Sequence, residues 1–303
     1  MSRNKAHKIE KLAGSNSIYS YIMIAPFFLF FFLFTVLPVC IAIVFSVTNF
    51  NLTEMPKWVG WSNYIRLFLE DDIFIIALKN TLLFAVITGP ISFLACFVFA
   101  WIINDLPRGP RTLMTLVYYA PSISGNVYFI WLLIFSGDRY GILNGFLTRL
   151  GFMNEPLQWL KDERFILPII IVVQLWLSLG TGFLTFIAGL KSVDRSLYEA
   201  GSVDGISNRW QELWYITLPQ MKPQLMFGAV MQITTSFAVS NVSIAIAGFP
   251  SVNYAAETVV THLIDFGSIR FEMGYASAIA TILFFMMLGS NKVVQALLKK
   301  VGS

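Results

Sequence analysis

The sequence predicts an all-α membrane protein with six transmembrane helices. Of its 303 residues, 56% are hydrophobic and 13% are charged, about half the charge of a soluble domain. Most of six apolar stretches reach the roughly 20 residues that a membrane-crossing helix needs, and no Asp, Glu, Lys, Arg or His lies in their interiors. The stretches are residues 21–48, 80–104, 112–135, 165–190, 223–247 and 274–288. The last is the weakest, because its apolar character fades near Asn291.

The first apolar stretch follows a basic tail that contains Arg3, Lys5, Lys8 and Lys11. This order resembles a secretory signal, but the apolar run is longer than a signal peptide's apolar core of 7–15 residues. We therefore expect an uncleaved first span. The predicted organisation is a tail over residues 1–20 and one transmembrane domain over residues 21–303.

Basic residues predict the orientation. Six spans place both termini on one side of the membrane, and the segments on that side hold 13 of the 21 Lys and Arg residues but 6 of the 17 acidic residues. The positive-inside rule makes this side cytoplasmic. The net charge of +4 is small and indicates topology rather than nucleic-acid binding. We expect a multi-pass membrane protein with cytoplasmic N- and C-termini; the family resemblance described below implies a bacterial inner membrane.

Two connections between spans are long. Residues 137–164 lie outside and contain a helical apolar pattern (Ile142, Leu143, Phe146, Leu147 and Leu150). Residues 191–222 lie inside. There, Asp194 or Ser196 can cap a short helix, and Gly205 suits the positive φ of a helix end. A second helix is expected to start near Ser207 or Asn208.

In that second helix, Trp210, Leu213 and Trp214 would share one face, as in a helix that lies at a membrane surface. Small residues at Ala200 and Gly201 would let another protein approach the backbone of the first helix. An ordinary solvated loop with a turn glycine remains the alternative.

Several kinds of chemistry lack support in the sequence. No Gly-Lys pair occurs, so no P-loop for nucleotide phosphates is present. Spans without ionisable residues argue against proton coupling, whereas sodium coupling remains open. Cys40 and Cys96 lie inside apolar runs, which disfavours a disulfide or a metal site. His262, Asp265 and Glu257 could hold zinc, but a solvated external loop is the favoured interpretation. We identify no catalytic residues and no metal site.

Two spans carry stripes of uncharged polar side chains. Gln174, Ser178 and Thr181 lie on one face of the fourth span, and Gln232 and Ser236 begin a stripe on the fifth that Ser240 and Ser243 continue. Such stripes could line a substrate pathway, with Trp176, Tyr118 and Tyr119 available for stacking. Hydrogen bonds between packed helices are the alternative role.

The second long loop resembles a known signature. Glu199-Ala200-Gly201, Asp204-Gly205 and Ile216-Thr217-Leu218-Pro219 are similar to the EAA loop of permease subunits of binding-protein-dependent ABC importers. Further similarity to the carbohydrate (maltose-type) branch lies in Val59–Tyr64, Asn80-Thr81, Gly141–Asn144 and Met273–Ala278. The resemblance extends from about Ile18 to the end of the chain. Two departures stand out: Gly201 replaces the usual alanine, and one extra residue lies near Asn208.

The resemblance implies a type I ABC importer permease fold and a function in carbohydrate uptake. A second permease would complete the pathway, two cytoplasmic ATPase subunits would use ATP and Mg²⁺, and an external sugar-binding protein would deliver a saccharide. This chain would bind no cofactor and perform no covalent chemistry. The residues expected at the ATPase joint are Glu199, Ala200, Gly201, Asp204, Gly205, Leu218 and Pro219. The rival interpretations are a permease for another solute, such as glycerol phosphate, and a stand-alone sodium-coupled transporter.

Overall fold

The computed structural model describes residues 21–125 and 127–299, with Thr181 described by its backbone alone. The predicted tail, residues 1–20, lies outside the described residues. In chain order the helices are α1 (Tyr21–Phe45), α2 (Ser62–Leu69), α3 (Asp72–Asn104), α4 (Arg108–Ile123), α5 (Tyr128–Ile134), α6 (Ile142–Arg149), α7 (Glu163–Ser192), α8 (Arg195–Val203), α9 (Arg209–Glu212), α10 (Leu218–Gln220), α11 (Lys222–Phe237), α12 (Asn241–Ala247), α13 (Val259–Ile264) and α14 (Met273–Lys299). Two-residue strands β1 (Thr48–Asn49) and β2 (Lys57–Trp58) pair antiparallel.

The helices confirm the predicted all-α membrane fold. Five stretches are long and apolar enough to cross a bilayer: α1, α3, α7, α11 continued by α12, and α14. The bent pair α4 and α5, counted as one span, brings the number to six. Turns of π-helix occur at Phe32–Val36 within α1, at Leu213–Thr217 between α9 and α10, and at Asp265–Ile269 after α13.

The bundle is built around α3, which packs along both α7 and α11. Phenylalanines fill the space between α3 and α7, with the Phe186 ring meeting the rings of Phe93 and Phe97 edge-on at 5.4 and 5.7 Å. A Cβ at Gly228 of α11 would lie 2.7 Å from Phe186 Cζ. The missing side chain therefore lets α11 approach α7 closely, as small residues do between membrane helices.

The first span lies at the edge of the bundle. Helix α1 packs against α14, and most of its large apolar side chains are exposed. Lipid or another membrane protein must cover this surface, because so large an apolar surface is unfavourable in water.

The predicted third span, residues 112–135, is bent rather than straight. The chain turns by 90° between α4 and α5. Pro121 lies in the last turn of α4, and Ser124 ends that helix with extended dihedrals (φ −87°, ψ 113°). Proline lacks the N–H that would bond to the preceding turn and its ring crowds the carbonyl there, and Gly125 follows with the low helix propensity of glycine.

The last span is longer than its apolar stretch. The sequence predicts residues 274–288, whereas α14 continues to Lys299. A transmembrane helix can continue beyond the hydrocarbon core of the bilayer, because its backbone hydrogen bonds also form in water. The polar residues beyond Leu288 therefore extend the helix past the expected bilayer core.

The loop between α5 and α7, which we call the outer loop after its predicted location, contains the predicted amphipathic helix, α6. Asn144, which is buried, organises the loop around it. Its amide donates to the carbonyl oxygens of Ser136, Asp138 and Leu157, and its Oδ1 accepts from Leu157 N and Trp159 Nε1. The Asn144 side chain thus links the segments of the loop before and after α6.

Candidate functional site

The segment from Asp194 to Pro219, which we call the coupling loop, has the predicted form of helix, glycine hinge and helix. Asp194 caps α8 by accepting from Ser196 N at 3.0 Å. Gly205 follows the helix with φ +94°, a conformation that favours glycine. Asn208 caps α9 by accepting from Gln211 N at 2.9 Å. The extra residue near Asn208 is accommodated at a helix cap, where chain length is easily absorbed.

One side of α8 packs against the second half of the coupling loop. Tyr198 Oη lies 2.9 Å from Thr217 Oγ1. Gly201 is buried, and a Cβ there would lie 2.7 Å from Ile216 Cδ1 and 3.1 Å from Ile206 Cδ1. The departure from the family's alanine therefore has a packing reason: the two isoleucine side chains occupy the space of the methyl group.

The other side of α8 is free. Glu199, Ala200, Asp204 and Gly205 are exposed, and Val203 is 87% exposed. Leu218 and Pro219 are half-buried beside the π turn at Leu213–Thr217. The predicted residues are thus divided: four form an outward surface, while Gly201 packs α8 against the loop behind it.

The residues predicted to share one face of the second helix, Trp210, Leu213 and Trp214, differ in exposure. Leu213 is buried, whereas Trp210 and Trp214 are 65% and 62% exposed. A π turn begins at Leu213 and changes the spacing of the side chains that follow it, Trp214 among them.

A polar cavity of about 490 Å³ lies where two spans are interrupted. One interruption separates α4 from α5, and the other, residues 238–240, separates α11 from α12. The polar side chains that line it are Ser122, Ser124, Tyr128, Gln174, Ser178, Thr235, Ser240 and Asn241. Within the described part of the chain, no charged side chain lines the cavity. Interrupted helices in a membrane are tolerated where they border such a cavity.

The predicted pathway residues fall into two groups. Gln174 and Ser178 line the cavity. Gln232 is buried between helices: its Nε2 donates to Ser178 O at 3.3 Å, and its Oε1 accepts from Ser92 Oγ at 3.2 Å. Ser236 is also buried and donates to Gln232 O at 2.7 Å.

Of the remaining predicted positions, the Trp176 ring meets Trp131 edge-on at 5.5 Å. The Thr181 side chain lies outside the described residues. Ser122 and Ser124 were missed as cavity residues. The run Pro121-Ser122-Ile123-Ser124-Gly125, with a proline and a glycine inside an apolar stretch, was the available signal.

The favoured interpretation of His262 as part of a solvated loop is wrong. His262 is buried, and its Nε2 lies 2.9 Å from Asp71 Oδ2, across 191 residues of sequence. Glu257 is buried nearby. Among the described residues, no group of three potential ligands is placed to hold a metal ion.

The chain combines six spans with a surface loop that connects two of them and an uncharged polar cavity at two helix breaks. These features define a transport permease. The chain belongs to the family of binding-protein-dependent transport system inner membrane components, whose profile matches residues 108–302. This confirms the resemblance found in the coupling loop.

Relatives extend the similarity over nearly the whole chain. The probable ABC transporter permease protein YesP of Bacillus subtilis is 31% identical, with 95% of this chain and 90% of YesP covered. The arabinooligosaccharides transport system permease protein AraP of Halalkalibacterium halodurans is 26% identical, over 93% of this chain and 88% of AraP. The fold is also similar to a chain in the crystal structure of a bacterial alginate ABC transporter in complex with an alginate pentasaccharide-bound periplasmic protein. That match has a TM-score of 0.73 and 23% identity, and it covers 95% of this chain and 98% of the other.

Proposed function

We propose that this chain is the permease subunit of an ATP-driven importer of oligosaccharides or related carbohydrates. The observation that carries the proposal is the two-sided coupling loop. Helix α8 presents Glu199, Ala200, Asp204 and Gly205 outward, where an ATPase subunit would bind, while its inner side packs on the chain.

The loop is suited to transmit movement because short connections join it to the cavity helices. Residues 193 and 194 alone separate α7 from α8, and Met221 alone separates α10 from α11. The cavity residues Gln174 and Ser178 lie on α7, and Thr235 lies on α11. A displacement of α8 by the ATPase would therefore reach both walls of the cavity.

The cavity supports a neutral, hydroxyl-rich solute. Serine, threonine, asparagine and glutamine side chains can exchange hydrogen bonds with sugar hydroxyls, and the Tyr128 ring offers an aromatic face. The name of AraP points to the same class of solute. A glycerol phosphate permease is less well supported, because no basic side chain among the described residues lines this cavity.

The proposed assembly contains a second permease, two ATPase subunits that use ATP and Mg²⁺, and an extracytoplasmic sugar-binding protein. We place the chain in a bacterial plasma membrane with both termini and the coupling loop in the cytoplasm. The excess of Lys and Arg on that side supports this orientation. The exposed apolar surface of α1 is available to lipid or to the second permease.

The test is purification of the tagged chain from its native membrane, followed by reconstitution in proteoliposomes. We expect a second permease, an ATPase and a binding protein to co-purify. Uptake of an oligosaccharide should require ATP and the binding protein. Uptake driven by a sodium gradient without ATPase subunits would overturn the proposal. ATP-driven uptake of glycerol phosphate, without uptake of any oligosaccharide, would show that the substrate is glycerol phosphate rather than a carbohydrate.

Matched glutamine variants test the pathway. Gln174→Leu removes a cavity side chain and should lower sugar uptake at least tenfold with little change in melting temperature. Gln232→Leu removes the amide that joins Ser92 and Ser178 O, so we expect lower thermal stability as well. Normal uptake by Gln174→Leu would remove Gln174 from the pathway.

A further inference from the structure

A second cavity, larger than the polar cavity between the spans, lies elsewhere among the described residues. It has a volume of about 720 Å³ and lies between the ends of α3 and α7, the start of α4 and the part of the coupling loop that carries Tyr198 and Glu199. Five basic and three acidic side chains line it. We call it the basic pocket.

The charges of the basic pocket do not cancel. Arg209 forms an ion pair with Asp105, and Arg111 Nη1 donates to Asn104 O at 3.3 Å. Within the described part of the chain, Arg108, Lys191 and Arg195 make no ion pair, and all three are exposed. The remaining acids, Glu199 and Glu212, leave a net positive charge with free N–H donors. Such a pocket attracts a phosphate-bearing anion.

The surroundings favour a lipid as the source of that phosphate. The Trp101 and Trp210 rings lie 5.2 Å apart at the pocket, and the Arg209 guanidinium lies 5.2 Å from the Trp101 ring centre. Tryptophan and arginine are typical of the level at which lipid headgroups lie.

Helix α4 supplies a place for the acyl chains. Its first turn contributes Arg108 and Arg111 to the pocket, and the next turns present Leu113, Leu116 and Val117, each more than half exposed. The basic groups and the exposed apolar stripe therefore lie at successive levels of one helix, on different faces of it. A free phosphate would use the basic groups only, whereas a phospholipid would use both.

We propose that the basic pocket binds the headgroup of an anionic phospholipid. Arg108 of α4 and Lys191 of α7 reach the pocket from the membrane helices, and Arg195 reaches it from α8. The bound phosphate would tie the coupling loop to the membrane surface. The proposal does not depend on which solute is transported.

The test uses the tagged complex as it is purified from its membrane. Native mass spectrometry would count retained phosphatidylglycerol after exchange into mixed phosphatidylcholine and phosphatidylglycerol. We expect the double variant Arg108→Gln/Lys191→Gln to retain it roughly ten- to thirtyfold less tightly, because each basic group near an anionic surface contributes roughly a factor of five. The matched control, Arg139→Gln/Lys161→Gln, removes two exposed charges from the loop at the other end and should leave retention unchanged.

The charge-preserving variant Arg108→Lys/Lys191→Arg should retain the lipid, which separates loss of charge from misfolding. Equal phosphatidylglycerol retention in the Gln variant and wild type would overturn the proposal. Displacement of the lipid by millimolar inorganic phosphate, with phosphate binding to lipid-free complex, would make free phosphate the ligand and overturn it. Loss of the co-purifying ATPase with unchanged lipid would assign the pocket to a protein contact instead.

Discussion

His262 Nε2 lies 2.9 Å from Asp71 Oδ2 and joins the loop before the last span to the beginning of α3. The same carboxylate accepts from Tyr275 Oη at 2.7 Å through Oδ2 and from Phe74 N at 2.9 Å through Oδ1. Burial opposes ionisation of Asp71, but these hydrogen bonds outweigh it and lower its pKa to about 2. The Asp71 carboxylate therefore holds α3, α13 and α14 together at one end of the bundle.

We predict that Asp71→Asn lowers the free energy of unfolding by about 2 kcal/mol, because hydrogen bonds to a charged group are lost. Thermal unfolding in detergent measures the change. Asp72→Asn is the control, since Asp72 is exposed at the next position. The lowered pKa means that the wild-type contribution is complete above the ordinary pKa of 3.8 and is lost as pH falls toward 2. Equal melting temperatures for the two variants at pH 7 would contradict this role.

Glu257 is expected to behave in the opposite way. Burial raises its pKa above the ordinary 4.5; the Thr261 hydroxyl and His262 lower it and Asp265 raises it, and burial prevails. A raised carboxyl pKa stabilises the fold at low pH, and that contribution is lost as pH rises through the folded value. Glu257→Gln should therefore raise the melting temperature at pH 8 by roughly 2 °C, with the gain vanishing below pH 4. Glu155→Gln, at an exposed site, should change it at neither pH. A gain that is the same at both pH values would argue against an ionisation cost.

The outer loop depends on Asn144, which has five hydrogen bonds and is buried. Asn144→Ala would leave Leu157 N and Trp159 Nε1 without their acceptor, at a cost of about 3 kcal/mol. Limited proteolysis should then cut between Ser136 and Asp162 much faster than in wild type. Asn154→Ala, at an exposed position of the same loop, provides the control. Unchanged cleavage in Asn144→Ala would show that another contact holds the loop.

The sequence was informative where local chemistry decides the structure. The caps and the hinge of the coupling loop were predictable, because side-chain capping and the positive φ of glycine act within four residues. They involve Asp194, Asn208 and Gly205. Contacts between distant segments were not, because His262 meets Asp71 only after the bundle has formed. The π turn at Leu213 and the bend at Gly125 also escaped prediction. The π turn depends on how neighbouring helices pack, which composition does not specify, whereas the bend had a local signal in Pro121 and Gly125.

The packing around Gly201 explains why this coupling loop has glycine where the family usually has alanine. We predict that Gly201→Ala lowers the melting temperature, since the new Cβ would lie 2.7 Å from Ile216 Cδ1 and overpacking costs about 1–3 kcal/mol. Adding Ile216→Val removes that methyl group and should restore most of the loss. Gly109→Ala, where no atom lies within 4 Å of the Cβ, should be neutral or slightly stabilising. Equal destabilisation of the single and double variants would place the clash elsewhere.

Gly205 tests the coupling loop without disturbing the core. Its φ is +94°, and a Cβ there would meet no atom within 4 Å, so a substitution adds strain but no clash. Gly205→Asp adds that strain, about 1–2 kcal/mol, and a charge beside Asp204 on the surface proposed to meet the ATPase. We expect an assembled complex whose sugar-stimulated ATP hydrolysis is lost.

Two variants separate the effects of strain, charge and position. Gly205→Ala adds strain without charge and should retain part of the stimulation. Gly151→Asp adds the same charge at another open position with φ +76°, at the other end of the molecule, and should leave stimulation intact. If Gly205→Asp hydrolysed ATP with normal stimulation, α8 and its hinge would not be the joint. Loss of stimulation in both Asp variants would indicate a general effect on folding, because the two sites share backbone geometry but not the proposed contact.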